Sequence, residues 1–155
     1  MYNIIRLQKE KIRELSSLYL SHDISEVDVN SMINRRLDEI TTGKRISFIC
    51  TTEKEIIGEG SLGFEYDEAD FTIKDNRVCL SMIIVKKGFN NKGVATSILD
   101  ELFSYAKSKG YKEMSLEVNV TNYNALHLFV RNDFTKIIGT IKDQDSTTIL
   151  LLKNL

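Results

Sequence analysis

The sequence contains no proline, no tryptophan and only two cysteines among its 155 residues. The two cysteines, Cys50 and Cys79, lie inside apolar stretches and show neither a CxxC pair nor the spacing of metal ligands. We therefore interpret them as small buried hydrophobic residues of a protein in a reducing compartment, and we expect no metal site. We interpret the absence of proline as compositional bias without a functional meaning.

Long apolar runs and an excess of charge are missing as well. No apolar run approaches the roughly 18 residues of a membrane-spanning helix, and the first residues lack the apolar core of a signal peptide. With 21 basic and 22 acidic residues the formal net charge is −1, which gives no global attraction to nucleic acid or to an anionic membrane. We therefore expect a cytoplasmic protein that binds neither nucleic acid nor a membrane.

Apolar periodicity predicts short strands and helices along the whole chain. Helical spacing marks residues 9–20, 29–40, 94–106 and 122–132. Strands are predicted at residues 2–7, 45–52, 55–66, 78–85, 112–120, 134–141 and 147–152. The order β-α-α-β-β-β-α-β-α-β-β indicates an α+β fold with a parallel βαβ segment rather than a doubly wound sheet. A chain of 155 residues is most simply one domain, spanning 1–155.

The most informative stretch is 77–97, RVCLSMIIVKKGFNNKGVATS. A continuous apolar strand is followed by a turn rich in lysine and asparagine, and then by Gly93, which opens an amphipathic helix. This order brings unpaired backbone N–H groups and the positive end of a helix dipole together, which suits a phosphate or pyrophosphate. The three-glycine dinucleotide fingerprint is absent, and Gly43 with the two basic residues after it lacks the rest of a P-loop.

From about residue 78 to residue 138 the sequence resembles the GNAT superfamily of acetyl-CoA-dependent N-acetyltransferases. The hexapeptide NNKGVA, from Asn90 to Ala95, is similar to the family signature Q/R-x-x-G-x-G/A, with Asn90 in place of Gln or Arg. Further along, the family typically reads N-x-x-A-x-x-L-Y-x-x-x-G-F. This chain has at the corresponding positions Asn122, Ala125, Leu128, Phe129, Asp133 and Phe134.

The resemblance implies the GNAT fold, a mixed and mostly antiparallel sheet of roughly six to seven strands flanked by about four helices. Strands four and five of that fold splay apart to hold coenzyme A. It also implies acetyl-CoA as co-substrate, with its pyrophosphate at the start of the helix after strand four and its pantetheine arm along strand four. The coenzyme-binding residues implied in this way are Ile83, Ile84, Val85, Asn90, Asn91, Lys92, Gly93, Val94, Ala95, Thr96, Asn122 and Phe129.

The activity implied is transfer of the acetyl group to a primary amine, of a small molecule or of a peptide or protein, by direct attack in a ternary complex. A primary amine with a pKa near 10 is mostly protonated at pH 7, so a general base helps. Glu117 is our candidate base, because strand alternation puts it on one face with Ser115 and Asn119. Asn122 is expected near the thioester. Glu59 and a water chain remain alternative bases.

One position departs from the family in a way that affects the chemistry. The tyrosine often assigned to protonate the departing thiolate is replaced by Phe129, which has no O–H. Tyr123 and His127 point in other directions on the same helix, so neither is a simple substitute. A non-catalytic acyl-CoA-binding or regulatory module is therefore the alternative to an enzyme, and an interaction domain that has lost the ligand is a second one.

The acceptor amine matches no pattern in the sequence. One acidic cluster before strand four is a candidate for attracting a cationic acceptor, although a solvated loop explains it as well. Its members are Glu65, Asp67, Glu68 and Asp70. The resemblance also allows a homodimer, because dimerisation is common in the family, but no interface is evident.

Overall fold

The computed structural model of the protein describes residues 2–66 and 70–155. Asp67 and Glu68 of the acidic cluster lie outside the described residues. The strands are β1 (Asn3–Arg6), β2 (Arg45–Thr51), β3 (Ile56–Gly63), β4 (Arg77–Val85), β5 (Glu113–Asn119), β6 (Lys136–Lys142) and β7 (Thr147–Asn154). The α-helices are α1 (Ser16–Leu20), α2 (Glu26–Thr41), α3 (Val94–Ser108) and α4 (Tyr123–Arg131), and a 3₁₀ helix covers Lys9–Leu15.

The strands form one mixed sheet of seven strands in the order β1-β2-β3-β4-β5-β7-β6. β1 pairs antiparallel with β2, and β7 pairs antiparallel with β5 on one side and β6 on the other. β4 and β5 pair in parallel through Arg77 with Glu113, Val78 with Met114, and Cys79 with Ser115. The α+β class and the parallel βαβ segment around α3 are therefore confirmed.

The first predicted helix differs from the structure in its hydrogen-bond pattern. The predicted segment 9–20 divides into the 3₁₀ helix and the short α1. Its apolar residues Ile12, Leu15 and Leu18 recur every three residues, which is the repeat of a 3₁₀ helix. All three are buried, as the periodicity predicted. The prediction of the buried face was therefore correct, and the prediction of the helix type was wrong.

The chain divides into two compact units, which are described separately. The first comprises Met1–Leu62 and Met82–Leu102. Its core packs the 3₁₀ helix, α1 and α2 against β2 and β3 through Leu7, Ile12, Leu15, Leu18, Tyr19, Val29, Ile33, Ile49 and Ile56. The second comprises Gly63–Ser81 and Phe103–Leu155. The expectation of a single domain spanning 1–155 stays a prediction.

In the first unit, α3 packs closely on the backbone of β3 because β3 carries glycine where the helix crosses it. A Cβ atom at Gly60 would lie 2.4 Å from Cγ2 of Ile98 and 2.9 Å from Cδ1 of Leu102. Any side chain there would push the helix outward. The close packing fixes the start of α3, and with it the turn that joins β4 to α3.

The second unit has its own apolar contacts. Phe71, Cys79 and Leu150 form a buried cluster, and the ring of Phe134 contacts those of Phe103 and Phe129.

Both cysteines of the chain are buried free thiols, as expected.

Candidate active site

The turn from β4 into α3 has the backbone geometry of an anion site. Asn91 and Gly93 both adopt left-handed conformations, with φ of 61° and 77°. The N–H of Ser97 reaches back to the carbonyl of Gly93 at 3.0 Å, so the amides just before it belong to the helix start and have no partner within the helix. A Cβ atom built on Gly93 would meet no atom within 4 Å. The space that a side chain at Gly93 would occupy is therefore empty.

Two of the three lysines in this turn are paired with carboxylates, so less positive charge is available to a ligand than the sequence suggests. Lys86 forms an ion pair with Glu55, and Lys87 lies 2.8 Å from Asp23. The hydrogen bond and charge of Lys87 hold the pKa of the Asp23 carboxyl below its usual value. Lys92 lies over the Phe89 ring, 5.7 Å from its centroid. Attraction of an anion to this turn therefore rests mainly on the backbone amides and Lys92.

His22 contacts the end of β4, and no pattern in the sequence indicates this contact. Its Nε2 lies 2.7 Å from the carbonyl oxygen of Val85. Because a carbonyl only accepts hydrogen bonds, Nε2 carries the proton in this contact. The N–H of Lys86 donates to the Ile57 carbonyl in β3 at 2.8 Å. In a trans peptide the Val85 carbonyl points the opposite way, so His22 binds the side of β4 that faces away from β3.

The three β4 residues expected along the pantetheine arm are half-buried at the end of that strand. Ile84 packs against the core of the first unit, and Cδ1 of Ile83 faces the backbone of Gly60. With these side chains engaged in packing, a ligand at this segment would bind to its backbone, of which the Val85 carbonyl already accepts a hydrogen bond from His22.

A cavity of about 370 Å³ lies in the second unit, where the parallel pairing of β4 with β5 gives way to separate strand ends. Its lining residues are Tyr66, Phe71, Cys79, Leu80, Ser81, Glu117, Val118, Asn119 and Thr148. Glu117 is exposed in β5, between buried Leu116 and Val118. Among these described lining residues Glu117 is the carboxylate, and none of them is basic.

The other candidate base, Glu59, is enclosed in the first unit. Its side chain is 0% exposed, and it accepts a hydrogen bond from the Tyr19 hydroxyl at 2.5 Å. Nε of Arg36 lies 3.6 Å from its second oxygen. Burial and the neighbouring Glu59 carboxylate raise the pKa of Tyr19. These contacts describe a structural ion pair between β3 and the helices, so of the two carboxylates only Glu117 faces a cavity in the described part of the chain.

The sequence model of the Acetyltransferase (GNAT) family matches residues 9–134. The chain belongs to the GNAT acetyltransferase family. No curated protein matches the sequence at a significant level.

Solved structures show the GNAT fold over the whole chain. Ribosomal-protein-alanine N-acetyltransferase from Brucella melitensis has a TM-score of 0.79 at 16% identity, with 99% of each chain covered. PaiA N-acetyltransferase from Thermoplasma acidophilum, solved in complex with coenzyme A, has a TM-score of 0.73 at 17% identity, covering 100% of this chain and 99% of that one. YncA from Salmonella typhimurium, solved with acetyl-CoA, has a TM-score of 0.77 at 16% identity, covering 100% and 94%. The fold implied by the resemblance is therefore confirmed.

Two residues of the GNAT motif in α4 have structural partners of their own. Asn122 caps the helix, and its Oδ1 accepts a hydrogen bond from the N–H of Ala125 at 3.3 Å. Phe129, at the usual tyrosine position, is 5% exposed, and its ring packs edge-on against Phe134 with centroids 5.9 Å apart. Their contacts with the coenzyme and the thioester stay predictions.

Neither a metal centre nor a membrane span is found in residues 2–66 and 70–155. No group of three or more His, Cys, Asp or Glu in this range could hold a metal ion. Its helices are all too short or too polar to cross a bilayer.

Proposed function

We propose that this GNAT protein transfers the acetyl group of acetyl-CoA to a primary amine, by direct attack of the amine on the thioester in a ternary complex. The observation that carries the proposal is the carboxylate of Glu117 on the wall of the cavity beside the end of the β4–β5 pairing. Family membership supports an acyltransferase, and two relatives of the same fold were solved with coenzyme A or acetyl-CoA.

We assign binding of the coenzyme to the two segments that the resemblance indicates. The amides from Asn91 to Thr96 would donate hydrogen bonds to the pyrophosphate, assisted by the dipole of α3. Open space in front of Gly93 supports this assignment, because a phosphate oxygen needs the volume that a Cβ would take. Backbone groups of Ile83, Ile84 and Val85 would bind the pantetheine arm.

Glu117 takes the role of general base in this proposal. It accepts a proton from the ammonium form of the acceptor, and the neutral nitrogen then attacks the thioester carbon. A C–N bond forms as the C–S bond breaks; the second proton that the nitrogen loses passes through water to the departing thiolate, and Glu117 releases the first proton to solvent. Backbone N–H groups near Val85 are the candidates for stabilising the negative charge on the carbonyl oxygen. Asn122 would lie near the thioester.

The departing thiolate needs no acid from the protein in this scheme. A free thiol has a pKa near 8.5, so a thiolate is a tolerable leaving group at neutral pH and takes its proton from water. Since Phe129 has no O–H, we expect turnover without a dedicated proton donor on α4.

The test is release of free coenzyme A thiol from acetyl-CoA in the presence of a panel of primary amines. Glu117→Gln should lower kcat/KM by about 10²–10⁴-fold, the usual contribution of a general base, and leave acetyl-CoA affinity unchanged. Glu113→Gln is the matched control, because Glu113 lies in the same strand but pairs with Arg77 at 3.1 Å and does not line the cavity. Wild-type rates in Glu117→Gln would remove Glu117 from the mechanism.

Because the buried Phe129 has no O–H, a non-catalytic acyl-CoA-binding or regulatory module remains as an alternative function. The same assay separates the two functions. Tight binding of acetyl-CoA without acetylation of any amine in the panel would establish the binding module and refute the enzyme.

A further inference from the structure

The cavity beside Glu117 has a one-sided charge pattern. Glu117 lines it and is exposed, and two further exposed acidic residues, Glu65 and Asp70, directly precede the lining residues Tyr66 and Phe71 in the sequence. Arg77 of the same unit is already engaged, since its Nη1 donates to the Asp70 carbonyl at 2.7 Å and its Nη2 to Glu113 at 3.1 Å. A ligand that enters this cavity therefore meets negative charge and no available cation among its described lining residues.

Tyr66 and Phe71 form an aromatic part of the cavity wall, and both are held in place. The rings of Tyr66 and Phe71 lie with centroids 5.9 Å apart, tilted by 52°. The N–H of Tyr66 donates to Thr72 Oγ1 at 3.2 Å, and the Phe71 carbonyl accepts from Ser115 Oγ in β5 at 2.5 Å. Aromatic faces attract cations and cover aliphatic carbon. The wall is therefore suited to the carbon stem and the positive charge of an alkylammonium.

We propose that the acceptor of this protein is a compact primary alkylamine that carries no carboxylate or phosphate next to its amino group. The proposal rests on the acetyltransferase function proposed above and narrows its substrate. A volume of about 370 Å³ lies near the lower end of the roughly 300–1,000 Å³ of small-molecule pockets. The ammonium sits at Glu117, and the alkyl stem lies against Tyr66 and Phe71.

The same negative charges predict weak binding of acceptors that carry a carboxylate next to the amino group. The α-carboxylate of an amino acid would lie roughly 5 Å from Glu117, where like-charge repulsion in a partly buried site lowers binding by about 100-fold or more. It would also find no arginine or lysine among the described lining residues to compensate. Decarboxylated amines should therefore be acetylated much faster than the amino acids from which they differ by that one group.

The test compares acceptors that differ by one carboxylate next to the amino group, isoamylamine with L-leucine and tyramine with L-tyrosine, and adds a short peptide with a free N-terminus. We expect kcat/KM at least 100-fold higher for each amine than for its amino acid, and lower activity on the peptide than on either amine. Equal or faster acetylation of the amino acids or the peptide would overturn the proposal and leave the acetyltransferase function intact. Acetyl-CoA binding without turnover of any acceptor would overturn both.

A variant of the aromatic wall provides a second readout. Tyr66→Leu should raise KM for cadaverine by about 3- to 30-fold through loss of the cation–π contact with the second ammonium of this diamine, with kcat little changed. Calorimetric affinity for acetyl-CoA should stay at the wild-type value, which controls for a folding defect. An unchanged KM for cadaverine would remove the aromatic wall from acceptor binding.

Discussion

Replacement of Gly93 by alanine separates the conformational role of this residue from its proposed role in binding. Gly93 has a φ of 77°, and a Cβ there would meet no atom of the protein within 4 Å. Gly43, just after α2, has a φ of 76° and equally open surroundings. Gly43→Ala is therefore a matched control, because it imposes the same left-handed strain on an L-residue in the same unit but far along the chain from the proposed pyrophosphate site.

The two substitutions should have the same effect on stability and different effects on binding. Left-handed backbone costs an alanine about 1–2 kcal/mol, and each kcal/mol lowers Tm by roughly 2–4 °C in a chain of this size. A hydrogen bond to a charged group contributes about 1.5–3 kcal/mol. Loss of one amide–phosphate bond in Gly93→Ala should therefore weaken acetyl-CoA binding by about 10- to 150-fold.

The assay is titration calorimetry with acetyl-CoA, with thermal unfolding of each variant measured without ligand. We expect similar Tm decreases in Gly93→Ala and Gly43→Ala, and a raised Kd in Gly93→Ala alone. Wild-type affinity in Gly93→Ala, or an equal loss of affinity in Gly43→Ala, would refute the assignment of the pyrophosphate to this turn.

Three further predictions concern the fold. Glu59→Gln leaves the buried Arg36 with Glu39, 3.5 Å away, as its remaining described carboxylate partner and should lower the free energy of unfolding by about 1.5–3 kcal/mol in urea titrations; an unchanged midpoint would contradict the ion pair with Glu59. Gly60→Ala should cost about 1–3 kcal/mol by displacing α3, and wild-type stability would show that the helix does not pack on that backbone. Cys50 and Cys79 should react with a thiol reagent at pH 8 only after unfolding, because both are buried and burial raises the pKa of the Cys50 thiol; rapid reaction of the native protein would be inconsistent with that burial.

The sequence predicted those parts of the fold whose signals are local. The helix after Gly93 and the helix that Asn122 caps both begin within a residue or two of the predicted position, since glycine and asparagine are both favoured at the N-cap position. The strand order was not predictable in the same way. β7, the last strand, lies between β5 and β6, and this insertion depends on pairing partners far apart in the chain.

The candidate site shows the same division between local and distant contacts. Strand alternation put Glu117 on one face with Ser115 and Asn119, but Ser115 is buried and Glu117 is exposed, so its accessibility came from the structure. The contact of His22 with Val85 spans 63 residues, and no local pattern marks it. Lys86 and Lys87 look available in the sequence, but they pair with Glu55 and Asp23 from distant segments. Tyr66 is the last residue of the strand predicted at 55–66, but β3 ends at Gly63, and Phe71 lies in no predicted element, so the aromatic wall emerged only from the structure.

The measurement that tests the central claim most directly is a product analysis of the protein incubated with acetyl-CoA and cadaverine. Mass spectrometry of the amine and a thiol assay of the coenzyme should show acetylated cadaverine and free coenzyme A formed in equal amounts, with both lost together in Glu117→Gln. Release of coenzyme A without acetylated amine, or bound acetyl-CoA that remains intact, would contradict acetyl transfer to an amine at this site.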